Sequence, residues 1–202
     1  MPRRWPTLRL VSARGSPTAA RPGDGGRNQR FNTLVLPHLD AAWTYARYLA
    51  RDVEVAEDVV QEAFLRAFRA VESCRGDGKA WLLTIVRRCW HDWLRARRPQ
   101  AADAAERELG IEEETPHSLL ERRQEAFHLR NVLEQLPEPF RETLVLRELE
   151  ELTYREIADV TGVPIGTVMS RLARGREMLA ALMLADGGGD SGKQEGKGAI
   201  RV

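Results

Sequence analysis

The chain has 202 residues, enough for one or two domains, and its formal net charge of +1 gives no global pull toward nucleic acid or acidic surfaces. Its two cysteines, Cys74 and Cys89, form no CxxC motif and have no histidine pair beside them, which argues against a zinc site or a disulfide framework and fits a reducing compartment. No apolar run is long enough to span a membrane, and the amino terminus lacks the apolar core of a secretory signal.

Residues 1–30 carry seven arginines against one aspartate, with Pro2, Pro6, Pro17 and Pro22 and then Gly23, Gly25 and Gly26. Such a stretch is expected to be a disordered extension, with an Arg-rich organellar transit peptide as the minor alternative. From about Asn32 the pattern changes. Leu36, Leu39, Trp43, Ala46 and Leu49 recur at helical spacing and mark one helix. Glu54 to Val71 marks a second, with Val60, Ala63, Phe64, Ala67 and Val71 on its core side. Its opposite side carries Asp58, Gln61, Glu62, Leu65, Arg66 and Arg69, a polar stripe with a leucine in it. A solvated face is the ordinary explanation for such a stripe, and a binding surface is the alternative. Glu72 to Lys79 reads as a loop by its glycines and small polar residues.

A third helix is expected from about Ala80 to Arg97, with Trp81, Leu82, Ile85, Val86, Cys89, Trp93 and Leu94 on its apolar side. Arg87, Arg88, His91, Arg95, Arg97 and Arg98 form a basic side beside Trp90 and Trp93. Cations that track phosphates beside rings that stack on bases suit single-stranded nucleic acid, although Trp81 and at least one of Trp90 and Trp93 are expected in the core. Pro99 ends this helix and opens an acidic, alanine-rich connector to about Pro116. His117 to Leu136 is helical again, and Pro137 and Pro139 restart the chain into a helix carrying Phe140, Leu144, Val145 and Leu149.

Thr153 to Met178 reads as two helices joined by a tight turn. Tyr154, Ile157, Ala158 and Thr161 share one face, Thr153 and Glu156 form a capping-box pattern, and Gly162 can turn with positive φ. Pro164 stands at the start of the second helix. There Ile165, Val168, Leu172 and Leu179 fall on one side and Thr167, Ser170, Arg171 and Arg174 on the other. This is the pattern of a helix-turn-helix whose second helix enters the DNA major groove, where arginine reads guanine edges and hydroxyls bond phosphates or bases. An ordinary α-hairpin with a solvated arginine face is the alternative. A Gly-rich polar tail follows, and no strand alternation appears anywhere, so the fold class is all-α: two small bundles joined by an acidic flexible linker.

These stretches, in this order, resemble the extracytoplasmic-function sigma factors of bacterial RNA polymerase. AEDVVQEAFLRAF (56–68) is similar to the helix that grips core polymerase, AWLLTIVRRCWHDWLRARR (80–98) to the promoter-melting helix, and Leu136–Leu179 to the second DNA-binding domain. The resemblance implies sigma region two at 31–98, a linker at 99–116 and sigma region four at 117–184; the disordered extension at 1–30 and the flexible tail at 185–202 lie outside it. It implies that Asp58, Gln61, Glu62, Leu65 and Arg69 bind a coiled coil of the polymerase β′ subunit. It implies that Arg87, Arg88, Trp90, His91, Arg95, Arg97 and Arg98 contact the minus-ten element, while the loop Glu72–Lys79 holds a flipped base of the melted non-template strand. Thr167, Ser170, Arg171 and Arg174 would read the minus-thirty-five duplex. The implied partners are core RNA polymerase (β′ and β), promoter DNA and an anti-sigma factor, in the cytoplasm, with no membrane, metal or cofactor and no catalysis of its own. Three positions depart from the family pattern: Arg88 for a usual Asn, Met169 for a frequent Lys, and Gly78 for a usual aromatic. A stand-alone helix-turn-helix regulator is the rival reading, and a recombinase or nuclease is disfavoured because no carboxylate or nucleophile constellation appears.

Overall fold

In the computed structural model of the chain, the described residues are 24–97 and 129–187. They form helices α1 (Asp24–Leu34), α2 (Leu39–Ala50), α3 (Val53–Ala70) and α4 (Gly78–Arg97), then α5, described over 129–135, α6 (Glu138–Leu144), α7 (Tyr154–Thr161) and α8 (Ile165–Gly187). Three-residue 3-10 turns precede α2 and follow α3, and α6 continues into a wider π-helical turn at Val145–Leu149. No strand occurs among the described residues, as the all-α expectation requires.

In the first module the helix boundaries follow local chemistry. Arg51 ends α2 with a left-handed φ of 57°, and Asp52 then caps α3 by accepting from the Val55 amide at 3.0 Å. Val55, Ala56, Val59, Val60, Ala63 and Ala67 are buried along α3 at three-to-four spacing. The alanines let α2 and α4 approach closely, while Tyr45, Leu82, Leu83 and Val86 fill the space between. Tyr45 was not legible as core, yet it is fully buried; Trp43 and Trp81 are only half-buried.

The second module is seated on Leu133, Leu136, Leu144, Leu146, Ile157, Val168 and Leu172. Gly175 lies on the α6-facing side of α8, where an added Cβ would come within 3.1 Å of the Leu144 side chain, so α8 packs directly on α6. One continuous apolar core runs through both modules, with α4 packed on α7 and α2 on α6.

Several boundaries differ from the sequence expectation. The 1–30 extension was expected to be disordered throughout, but α1 begins at Asp24 and takes in Gly25, Gly26 and Arg30. The loop expected at 72–79 is shorter, because Gly78 and Lys79 already belong to α4. Residues 185–187, expected in the flexible tail, belong to α8, which runs to Gly187. Residues 1–23, the 99–116 linker, 117–128 of the second module, Arg98 and 188–202 lie outside the described residues. No described helix is long and apolar enough to cross a membrane.

Candidate nucleic-acid interface

The helix-turn-helix is built as its local signals dictate. Thr153 accepts from the Glu156 amide, and the Glu156 carboxylate accepts from the Thr153 backbone at 2.8 Å, closing the capping box. Gly162 ends α7 at φ 70°, with its amide donating to the Ala158 carbonyl at 2.8 Å. The Pro164 carbonyl accepts from the amides of Thr167 and Val168 and starts α8. Val168 and Leu172 are buried, as expected, and they fix the rotation of α8. Ser170 and Arg174 consequently stand exposed on the far side, with Thr167 and Arg171 half-buried beside them. Ile165 was expected on the apolar side, but it is 44% exposed because the first turn of α8 overhangs the core; Met169 is exposed as well.

On α3, Asp58, Gln61, Leu65 and Arg69 form an exposed stripe, with Leu65 at 46% exposure. Glu62 is only partly on that stripe. It accepts from Arg66 at 2.7 Å, Arg66 reaches Asp92 on α4 at 2.6 Å, and Asp92 accepts from Arg95 at 2.9 Å. The chain of charges ties α3 to α4, and the Arg66 hydrogen bond holds the Asp92 carboxyl below its ordinary range.

On α4 the basic face is divided. Arg87, Arg88, His91 and Arg95, with Leu94, line a shallow cleft of about 630 Å³. Arg97 lies over the Trp93 ring at 4.2 Å, and Trp93 in turn stacks on Trp90 at 5.3 Å. Trp90 itself is 6% exposed and belongs to the core, with the Trp93 ring stacked against it. Arg87 is also engaged. Its Nε donates to Glu142 Oε1 at 2.7 Å, and the Tyr45 hydroxyl donates to the same oxygen at 2.7 Å. Burial, reinforced by the Glu142 carboxylate, pushes the Tyr45 phenol well above its ordinary value. Lys79 makes a parallel link, donating to the Glu150 carboxylate at 2.9 Å and to its backbone carbonyl at 2.7 Å. Arg141, almost fully buried, donates to the Tyr48 and Leu136 carbonyls.

The Sigma-70 region 2 family matches residues 34–100, and the Sigma-70 region 4 family matches residues 126–179. The ECF RNA polymerase sigma-E factor of Escherichia coli K12 is 39% identical over 171 residues, covering 76% of this chain and 86% of that protein. The chain belongs to the ECF RNA polymerase sigma factors. The RNA polymerase sigma-H factor of Pseudomonas aeruginosa is 34% identical over 166 residues, covering 76% of this chain and 86% of that protein. Among solved structures, the Bartonella quintana sigma factor RpoE, in complex with the anti-sigma factor NepR, is 26% identical with a TM-score of 0.68, covering 78% of this chain and 99% of that one. CnrH in complex with the cytosolic domain of CnrY is 27% identical with a TM-score of 0.59, covering 80% of this chain and 92% of that one.

As an alternative sigma factor the chain directs transcription initiation, and nothing found favours the stand-alone regulator. The sigma factor's structured residues include several that the sequence did not single out as site residues. Arg66 was visible as the i+4 partner of Glu62, the standard spacing for a helical ion pair. Glu142 and Glu150 were not, because their partners Arg87 and Lys79 lie 55 and 71 residues away.

Proposed function

We propose that the two modules divide promoter recognition by the state of the DNA each one meets. The α8 face of Thr167, Ser170, Arg171 and Arg174 reads the minus-thirty-five duplex through the major groove, where base edges are accessible without unpairing. The α4 face of Arg87, Arg88, His91, Arg95 and Arg97 follows the melted minus-ten strand, and the segment between α3 and α4 captures an unstacked base. Asp58, Gln61, Leu65 and Arg69, with Glu62 at the margin, dock on the β′ subunit of core RNA polymerase. The observation that carries the reading is the α8 geometry: buried Val168 and Leu172 turn hydroxyls and guanidiniums outward together.

The factor acts in the cytoplasm and performs no catalysis of its own; polymerase supplies the chemistry. RpoE and CnrH were solved with NepR and with the CnrY cytosolic domain respectively. An anti-sigma factor is accordingly proposed as a further partner. Run-off transcription with bacterial core RNA polymerase on genomic promoter fragments tests the proposal. Transcripts from defined start sites that depend on the protein are the expected result. Tight, sequence-specific DNA binding by the protein alone with no such transcripts would overturn it.

A further inference from the structure

The segment between α3 and α4 is gripped from outside by α1. Arg30 Nε donates to the Val71 carbonyl at 3.2 Å, and Arg30 Nη2 donates to the Cys74 carbonyl at 2.9 Å. These two carbonyls bracket the 3-10 turn Val71–Ser73, so one guanidinium, with its donors in a rigid fork, sets both their spacing and their orientation. Arg30 is itself held by its neighbour, since Phe31 packs edge-on against Phe64 at 6.1 Å and Phe68 at 5.2 Å.

At the far end of the segment, Asp77 caps α4 by accepting from the amides of Lys79 and Ala80. Next to it Gly78 is buried, and a Cβ there would collide with the carbonyl oxygen of Leu34, the last residue of α1. With α1 placed as it is, position 78 admits no side chain. Beyond the fork, Arg75, Gly76 and Asp77 are all exposed, bent by Gly76 at φ 81°. A glycine-centred bend is intrinsically mobile, whereas discriminating one base from another requires groups fixed to a fraction of an ångström.

We propose that Arg30 is a positioning residue for base selection: its fork onto the Val71 and Cys74 carbonyls presents residues 75–77 in the geometry that selects the base taken from the melted strand. This rests on the reading, given above, that the segment captures such a base. Arg30 touches no DNA in this role and acts only through the segment it holds.

The test uses full-length protein with core RNA polymerase on a promoter fragment recovered by run-off transcription, and on fragments carrying single base changes in the melted element. Open complexes are read by permanganate reactivity for wild type, Arg30→Ala and Arg30→Lys. Arg30→Ala is expected to lose about fivefold discrimination at one position, the order of one net hydrogen bond, with the other positions, upstream preference and core affinity held within about twofold. Arg30→Lys is expected to fall between, because an ammonium cannot fork across two carbonyls. Thermal unfolding of each variant identifies any that fail to fold, and a folded Arg30→Lys then carries the test. A variant lacking Gly76, which reshapes the bend itself, separates the two levels. If deleting Gly76 alters discrimination at one position and the Arg30 variants do not, the Arg30 assignment is overturned and base capture stands. If neither alters any single position, base capture falls and the Arg30 assignment with it. A uniform loss at every position in Arg30→Ala would show a residue that merely supports the fold, and would also overturn the proposal.

Discussion

Replacing Glu142 by alanine removes the one carboxylate oxygen that accepts from both Tyr45 and Arg87, and so cuts the polar centre of the contact between the modules. Tyr45 is fully buried, and its orphaned hydroxyl should cost about 1–3 kcal/mol. Arg87 is treated differently. Breaking a buried ion pair costs roughly 3–5 kcal/mol when the survivor stays dry. The Arg87 side chain is 24% exposed, however, so water can rehydrate much of its guanidinium. The net expectation is a loss of about 2–4 kcal/mol, or roughly 4–16 °C in Tm for a chain of this size. Urea denaturation of wild type, Glu142→Ala, Tyr45→Phe and the double variant forms a cycle. Tyr45→Phe should be clearly destabilising in wild type but stabilising by about 1–3 kcal/mol once Glu142 is gone, because it removes the orphaned hydroxyl. Strict additivity, or a Glu142→Ala loss under about 1 kcal/mol, would refute the claim that this oxygen couples the modules.

Burial pushes the Cys89 thiol up to about 11, and the Tyr45 phenol is raised in the same direction. For a raised acid the folded state holds its proton longer than the unfolded state. Stability from Cys89 should therefore be complete below the unfolded thiol value, about 8.5, and lost as pH rises through about 11. Melting curves across that window should show a decline that Cys89→Ala makes shallower. Asp58→Lys places a cation at the amino-terminal end of the exposed α3 stripe while leaving the core untouched. A pull-down with core polymerase should lose binding at least about tenfold while the melting temperature stays put; wild-type binding would dismiss that docking face. Arg171→Ala should lower preference for the upstream element by about 1–3 kcal/mol if the guanidinium meets a base, measured by competition between promoter fragments. An even loss across all sequences would instead mark a phosphate contact.

What the sequence made legible was local. The capping box at Thr153 and Glu156, the left-handed Gly162 and the buried pair Val168 and Leu172 each follow from neighbours within one or two turns, and all three stand as expected. The α1 helix was missed because Gly25 and Gly26 depress helix propensity. Its support comes from Phe31 against Phe64 and Phe68, and from Arg30 on carbonyls more than forty residues away. Trp90 carried an ambiguous signal, since a helix that is basic on one side and aromatic beside it fits both a stacking platform and a core tryptophan; burial decides for the core. The contacts between modules had no sequence signature at all. Glu142 reads as one more solvated carboxylate until the fold brings Tyr45, 97 residues distant, to within 2.7 Å.

Both modules lie on one polypeptide, and that alters what their polar contact has to achieve. Two separate proteins meeting through Glu142 and Glu150 would need enough affinity to overcome the loss of free translation and rotation. Joined in one chain, they meet at an effective concentration set by the connection between them rather than by how much protein is present. The packed arrangement is thus a unimolecular equilibrium, indifferent to how many copies of the factor a cell holds. Cleaving the chain between residues 98 and 128 would make the same contact bimolecular and therefore sensitive to dilution.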